Sequence, residues 1–339
     1  MRTDDFDYEL PESAIAVRGV EPRDAARLLV DLGDGEVRHR HVVDLPSLVG
    51  PGDVVVVNDT RVLPGRIRFR RSSGGAGEVL LLEEGDAGWW DALVRPSAKL
   101  RPGTIVDVGP DLSLELGDDL GEGRRRVRVE TSDLLTALDR HGEMPLPPYL
   151  GPEPLEDPDR YQTVFAQRAA SAAAPTAGLH LTPRVIEGIA AAGAALVRVE
   201  LVVGLGTFRP ITVERVEDHV MHSERYVVPE ATWAACQAAD RVMAIGTTTV
   251  RALESAAASD ELTGRTELFL RRGSTFEVVD VLMTNFHLPR SSLLVMLDAF
   301  IGDRWRDLYR AALREGYRFL SFGDAMLVSR EPVSKRERG

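Results

Sequence analysis

Four loops of this sequence place polar and titratable side chains beside apolar segments that are typical of strands. They hold four of the seven histidines, namely His180, His219, His222 and His287. Ligands of α/β proteins bind beyond the carboxyl ends of strands, so convergence of these loops on one pocket is the simplest prediction. The catalytic candidates are His180, His222, Glu224 and His287.

Histidine is suited to proton transfer because its unperturbed pKa lies near neutrality. For His180, which is flanked by leucines, a structural hydrogen bond is the favoured alternative. The two histidines of HVMH at 219–222 suggest a metal site, but the segment lacks the HExxH arrangement and no cysteine is near. We therefore predict no metal site, and we favour proton transfer by His222 or Glu224.

A strand followed directly by Gly246 and three threonines begins a predicted helix. Free N–H groups, hydroxyls and the positive end of the helix dipole make such a start a good anion site. Ordinary helix capping is the alternative, and the pattern does not separate the two. Thr247, Thr248 and Arg251 are the binding candidates here, and the absence of GK[ST] excludes a P-loop.

Further binding candidates lie in four segments, two of which also hold His180 and His287. NDTR follows a buried strand, with a strand-closing Asx-turn as the alternative, and APTAGLHLT has small residues that allow close backbone approach. VGLGTFRP follows a strand but lacks the third glycine of a dinucleotide fingerprint, and TNFHLPRSS is densely polar. The candidates are Asn58, Asp59, Arg61, Thr176, Gly178, Gly204, Gly206, Thr207, Phe208, Arg209, Asn285 and Arg290.

Two strand patterns indicate two domains. Short alternating strands separated by Gly and Pro fill residues 61–130, which is typical of a small barrel or sandwich. After about residue 160, strands alternate with helices, which favours a parallel sheet. We predict an α/β main domain with a largely parallel sheet at 1–60 and 150–339, and an inserted small antiparallel β-barrel domain at 61–149.

The composition is that of a globular protein, with 44% hydrophobic and 28% charged residues. The single cysteine, Cys236, cannot form an internal disulfide, which fits a reducing compartment. The acidic N-terminus has no apolar run typical of a signal peptide, and no segment approaches the roughly 18 apolar residues of a membrane span. We expect a cytoplasmic protein without a membrane partner.

The formal net charge of −12 argues against general affinity for nucleic acid, which relies on clustered Lys and Arg. Residues 61–130 contain 12 Lys or Arg and 12 Asp or Glu, so the excess negative charge lies elsewhere. A nucleic-acid partner would more easily meet this neutral segment. The face around Arg66, Arg68 and Arg70 is the predicted contact.

Blocks in one order over nearly the whole chain resemble a known family. They are DFDYELPES, NDTRVLPGR, RPSAKLRPG, MPLPPYL, YQTVFA, APTAGLHLT, VGLGTFRP, HVMHSERY, GTTTVRALES, TNFHLPRSSLL and YRFLSFGDAMLV. The family is that of the S-adenosylmethionine:tRNA ribosyltransferase-isomerases of queuosine biosynthesis. The resemblance implies an α/β main domain with an inserted β-barrel.

The resemblance also implies the chemistry. The ribosyl moiety of S-adenosylmethionine is transferred and isomerised onto 7-aminomethyl-7-deazaguanine in tRNA, giving epoxyqueuosine-tRNA with release of adenine and methionine. This requires a base beside the sulfonium, a pocket for a cation and an anion site for the methionine carboxylate, which the helix start at Thr247 suits. S-adenosylmethionine is then a co-substrate, tRNA is the partner, no prosthetic group is expected, and the enzyme is expected to be a monomer.

The sequence departs from the family pattern at Val202, where a histidine is frequent, at Leu181, where Phe is usual, and at 170–172. Two alternatives therefore stand beside the main prediction. One is a diverged paralogue that uses S-adenosylmethionine on another amine. The other is a non-catalytic RNA- or nucleoside-binding protein, which the retained polar candidates disfavour because unused buried polar groups destabilise a fold.

Overall fold

The computed structural model describes residues 1–151, 155–204 and 210–330. Its larger sheet has nine strands. In spatial order these are β16 (Thr263–Thr266), β14 (Glu224–Val227), β13 (Ala195–Leu201), β3 (Asp53–Asn58), β15 (Arg241–Ile245), β17 (Val281–Asn285), β18 (Ala325–Ser329), β1 (Arg27–Asp31) and β2 (Val37–His41). The run of four valines in β3 is wholly buried, as expected for a central strand covered on both faces.

This sheet is mixed. Strands β13, β3, β15 and β17 run parallel, as do β18 and β1, but the pairings β17–β18, β1–β2, β13–β14 and β14–β16 are antiparallel. The predicted α/β sheet is present, and its largely parallel character holds for the four central strands. The β1–β2 pairing is antiparallel because a short turn joins these two strands directly, and such a connection forces antiparallel pairing.

The second sheet has seven strands, all paired antiparallel. Its order is β11 (Gly142–Glu143), β5 (Arg66–Arg70), β6 (Ala76–Glu84), β7 (Trp89–Arg95), β10 (Arg124–Glu130), β9 (Leu112–Gly121) and β8 (Thr104–Gly109). Strands β5 and β8 contact each other, so the sheet curls into a half-barrel around its own apolar core. The domain limits at residues 61 and 149 stay a prediction.

Short strands and helices complete the fold. Strands β4 (Arg61–Val62) and β12 (Ala169–Ser171) form a small parallel pair. The helices are α1 (Leu134–His141), α2 (Pro183–Ala191), α3 (Glu230–Ala238), α4 (Thr247–Ser259), α5 (Ser292–Ile301) and α6 (Arg304–Arg314). Helix α1 packs on the half-barrel, whereas α2 to α5 contact the nine-stranded sheet and α6 packs on α5. In the described part of the chain, no helix is long and apolar enough to cross a membrane.

Candidate functional site

A pocket lies where the adjacent parallel strands β15 and β17 end and where α4 and α5 begin. We call it the strand-end pocket, and its volume, including the solvent at its open mouth, is about 590 Å³. Its wall includes Tyr149, Pro175, Thr176, Gly246, Thr247, Thr248, Thr284, Asn285, His287, Ser291, Leu293 and Ser321. Among the described residues, no Asp, Glu, Lys or Arg lines it, so the field inside comes from backbone dipoles.

The start of α4 is built to present backbone donors. Gly246 adopts φ 93° and ψ 151°, a conformation that favours glycine, and its N–H is donated to the carbonyl of Met283. The amides of Thr247 and Thr248 find no acceptor within the described residues, as expected for the first turn of a helix. Thr247 and Thr248 line the pocket, and the anion site expected at this helix start stays a prediction.

Asn58 supports this helix start from beneath. It is 1% exposed, and its Nδ2 donates to the Leu201 carbonyl at 3.0 Å and to Thr248 Oγ1 at 3.2 Å. Its Oδ1 accepts the amides of Thr60 and Leu201. Because Thr248 Oγ1 already accepts a hydrogen bond, its own proton remains for a ligand. Asn58 thus positions a binding group, and its contact with Thr60 is the Asx-turn noted as the alternative.

His180 lies behind the pocket wall and is connected to it through Asn285. The Nδ2 of Asn285 is 3.0 Å from His180 Nε2, and its Oδ1 accepts from the Thr176 hydroxyl at 3.0 Å. Burial, reinforced by nearby Arg318 and Arg160, lowers the pKa of His180 to about 4. A neutral ring that accepts from Asn285 therefore fixes the orientation of the pocket residues.

His287 lines the pocket itself. Its Nε2 is 3.0 Å from Thr284 Oγ1, its amide donates to the Tyr309 hydroxyl at 2.9 Å, and its carbonyl accepts from the Tyr8 hydroxyl. Burial lowers the pKa of His287 to about 3. The imidazole is therefore uncharged near neutral pH, and its position is fixed by contacts from three elements.

A second cavity separates the half-barrel from the edge strands β14 and β16. We call it the intersheet cleft, and it encloses about 830 Å³. It is lined by Leu82, Glu83, Asp91, Leu93, Glu122, Arg124, Val202, Gly204, His222, Ser223, Glu224 and Arg265. Two guanidinium nitrogens of Arg265 donate hydrogen bonds to the Glu83 carboxylate, one of them at 3.0 Å. Arg124 forms an ion pair with Asp91 at 2.7 Å. Ion pairs thus dominate its wall.

Two predicted site residues form a buried ion pair in the floor of this cleft. The Arg251 guanidinium binds the Glu224 carboxylate, and both side chains are at most 5% exposed. The other Glu224 oxygen accepts the Gly204 amide at 2.9 Å, while Arg251 Nε donates to the Leu268 carbonyl at 3.3 Å. The pair joins β14 to α4, whereas His222 is exposed at the rim.

The remaining candidates lie apart from both cavities. Asp59 is half-buried, which raises the pKa of its carboxyl, and Arg61 is exposed in a groove beside α1. A Cβ at Gly178 would come within 2.8 Å of Phe165, so that glycine serves packing. Arg290 is exposed and pairs with Asp4 at 2.8 Å. Gly206, Thr207, Phe208 and Arg209 lie outside the described residues.

The structure adds pocket residues that the sequence analysis missed. The hydroxyls of Tyr149 and Ser321 share a hydrogen bond in the pocket wall, and burial raises the pKa of Tyr149 so that it stays a phenol. Ser291 caps α5 by accepting the Leu294 amide at 3.3 Å. Tyr149 and Ser321 belong to the MPLPPYL and YRFLSFGDAMLV blocks, whose resemblance was the one available signal. Within the described chain, no three His, Cys, Asp or Glu side chains form a metal cluster.

These features define an α/β protein with a ligand pocket at its strand ends and an accessory antiparallel half-barrel. A family described as "Queuosine biosynthesis protein" matches residues 3–328. The chain belongs to this family.

Relatives that carry a functional name are similar to this chain over nearly its full length. The S-adenosylmethionine:tRNA ribosyltransferase-isomerase of Rubrobacter xylanophilus is 52% identical, covering 97% of this chain and 98% of that protein. The protein of the same name from Moorella thermoacetica is 46% identical, covering 97% and 100%. The crystal structure of S-adenosylmethionine tRNA ribosyltransferase from Thermotoga maritima is similar with a TM-score of 0.54 and 34% identity, covering 95% of this chain and 99% of that one.

Proposed function

We propose that the protein is an S-adenosylmethionine:tRNA ribosyltransferase-isomerase. It transfers and isomerises the ribosyl moiety of S-adenosylmethionine onto 7-aminomethyl-7-deazaguanine in tRNA, giving epoxyqueuosine-tRNA with release of adenine and methionine. Family membership over residues 3–328 supports this activity. The structural observation that carries it is the strand-end pocket, which offers backbone donors and lacks ionised side chains among its described residues.

The start of α4 receives the methionine carboxylate. The amides of Thr247 and Thr248 and the Thr248 hydroxyl are donors, and the helix dipole adds positive potential at the same place. Anions at helix starts are stabilised by roughly 0.3–1 kcal/mol through the dipole, and more where the site is partly buried. This suits a free amino acid carboxylate in a pocket with no arginine in its described wall.

The pocket also has to accept the positive sulfonium. His287 is uncharged near neutral pH, so it does not repel this group. A neutral imidazole has one nitrogen with a lone pair, which makes His287 the candidate for removing the proton from the carbon beside the sulfur; burial makes it a weak base in the free pocket. His180 positions the opposite wall through Asn285 and Thr176. The Tyr149 phenol is a hydrogen-bond donor in the same wall.

The modified base of the tRNA approaches from the intersheet cleft, where His222 is exposed. We assign to His222 the proton transfer to or from the amine of that base. Glu224 and Arg251 hold the floor of this cleft. Val202, where the family often has histidine, lines the same cavity. The valine at position 202 favours the second candidate function, which is that of a paralogue with a different amine acceptor. The enzyme acts in the cytoplasm as a monomer in this proposal.

Adenine release from S-adenosylmethionine tests the activity. We expect release with tRNA that carries 7-aminomethyl-7-deazaguanine, and no release with the same tRNA carrying guanine. Recovery of an epoxide-bearing nucleoside completes the test. Binding of S-adenosylmethionine without release for any tRNA contradicts the proposal, and release driven by a free amine favours the second candidate.

A further inference from the structure

One end of the half-barrel carries exposed cations that the active site does not use. The register of β5, β6 and β7 places Arg68, Glu78 and Arg95 in one row, and Arg70 lies beyond that row at the end of the sheet. The connection from β7 to β8, residues 96–103, crosses the same end, because those strands are not neighbours in the sheet. We call this end the basic rim, formed by Arg70, Arg95, Lys99 and Arg101.

The cations of the rim are not neutralised. All four side chains are exposed, and within the described residues none has a carboxylate within 4.0 Å. Arg68, which shares a row with Glu78 and Arg95, instead pairs with Glu143 at 3.1 Å, and Arg66 is half-buried near the Leu146 carbonyl. Of the face predicted around Arg66, Arg68 and Arg70, Arg70 belongs to the rim, and the charge available to a partner extends from it to Arg95, Lys99 and Arg101.

The rim connection is held rigidly by a buried cation. Arg125 is 2% exposed, and its guanidinium donates to the carbonyls of Ser97, Leu100 and Gly117. Leu100 is 8% exposed and packs into the half-barrel core. Burying a guanidinium is unfavourable unless hydrogen bonds compensate it, and here they tie the connection, through Ser97 and Leu100, to Gly117 of β9.

A rigid connection with unpaired, exposed cations is a surface prepared for an anion. Preorganised contacts lose less entropy on binding than flexible ones do. We infer that the basic rim binds the phosphate backbone of the acceptor tRNA, outside the pocket where the modified base reacts. This inference rests on the proposed function, since tRNA is the polyanion that the reaction requires. A chain with net charge −12 needs such a local cationic surface to hold RNA.

The variant K99E/R101E tests the rim against a matched control, R310E/R314E on α6. Both change the net charge by the same amount, and Arg310 and Arg314 are exposed far along the chain from the half-barrel. The readouts are tRNA affinity over about 50–200 mM salt, S-adenosylmethionine affinity, and adenine release at saturating tRNA. A milder pair, K99Q/R101Q, repeats the test should the reversed charges perturb folding.

We expect the rim variant to lose about tenfold or more in tRNA affinity, with a salt slope reduced by about 1 to 2, whereas its S-adenosylmethionine affinity and its saturated turnover stay unchanged. The control keeps wild-type tRNA affinity within about twofold. A rim variant that binds tRNA as the control does overturns the inference. Failure of the proposed function is a separate result, namely wild-type protein that binds tRNA without releasing adenine.

Discussion

The strand-end pocket and the intersheet cleft differ in the source of their electrostatics. The described wall of the pocket contains backbone amides, hydroxyls and an uncharged histidine, whereas the wall of the cleft contains ion pairs such as Arg265–Glu83 and Arg251–Glu224. Oriented backbone dipoles bind charge without adding a mobile counter-ion. Ion pairs fix the geometry of two sheets and are weakened by salt where they are exposed.

This difference separates the tasks of the two cavities. A zwitterion that also carries a sulfonium needs a pocket that binds a carboxylate without repelling a cation, and dipoles with neutral rings meet both needs. The cleft joins the half-barrel to the main sheet through Arg265 and Glu83, and in our proposal it is where the tRNA base approaches the pocket. Binding of S-adenosylmethionine should therefore depend on the pocket, whereas the cleft should act in the approach of the acceptor and in holding the two sheets together.

His287→Ala should give the largest effect on catalysis. Loss of a proton-transfer group typically lowers rates by about 10²–10⁴. We expect adenine release to fall in this range while the S-adenosylmethionine Kd, measured by calorimetry, stays within a few-fold. His222→Ala in the cleft should leave that Kd unchanged. A His287→Ala enzyme with turnover within threefold of wild type would remove His287 as the base.

Arg251→Ala should give the largest effect on stability. It removes the guanidinium that pairs with the buried Glu224 carboxylate, and breaking a buried ion pair typically lowers the free energy of unfolding by about 3–5 kcal/mol. Arg310→Ala, which breaks an exposed ion pair, is the control and should change it by less than about 1 kcal/mol. Urea unfolding measures both. A stable Arg251→Ala protein with lost substrate binding would instead support the direct binding role expected from the sequence.

Acid should destabilise the pocket through its buried histidines. The folded-state pKa values of His180 and His287, about 4 and about 3, lie below the unfolded value of roughly 6.5. The unfolded chain therefore binds more protons, so this stability is present above pH 6.5 and is lost as the pH falls toward 4. Between pH 6.5 and 4.5, the free energy of unfolding of the His180→Gln protein should fall less steeply than that of the wild type. Urea unfolding at each pH measures it. Parallel curves for the two proteins would contradict a neutral buried His180.

Thr248→Val should give a smaller, purely binding effect. It removes a hydroxyl donor from the carboxylate site and an acceptor from Asn58, while the volume of the side chain is conserved. We expect the S-adenosylmethionine Kd to rise about tenfold, in line with roughly 1.5–3 kcal/mol for a hydrogen bond to a charged group. Thr249→Val is the control, since Thr249 bonds the Ile245 carbonyl and is absent from the pocket wall. Equal Kd changes in both variants would argue for a helix effect instead.

Much of the fold was predictable because it follows from local patterns. The valine run of β3, the alternating β5 and the Gly246 helix start each appear where their residue patterns indicate. The parallel character was overestimated because the partners of a strand are not encoded in its own sequence. β18, for instance, lies between β17 and β1 and pairs antiparallel with β17.

The site was harder to predict because polar residues look alike in sequence whether they bind a ligand or one another. Glu224 and Arg251 are 27 positions apart and bind each other, and Asn58 supports Thr248 across 190 positions. Tyr149 and Ser321 form their wall of the pocket across 172 positions, and although both lie in blocks that resemble the family, nothing in either block marks these residues as neighbours. Such pairings depend on the assembled sheet.

Hydrogen exchange with and without S-adenosylmethionine tests the central claim most directly, since it locates the bound molecule by residue. We expect added protection of the amides at 246–249 and 285–291, at the starts of α4 and α5, and little change at 222–224 or in the half-barrel. Protection confined to 222–224 and to the half-barrel strands β6 and β7, with the α4 amides unchanged, would place the substrate in the intersheet cleft and contradict the account.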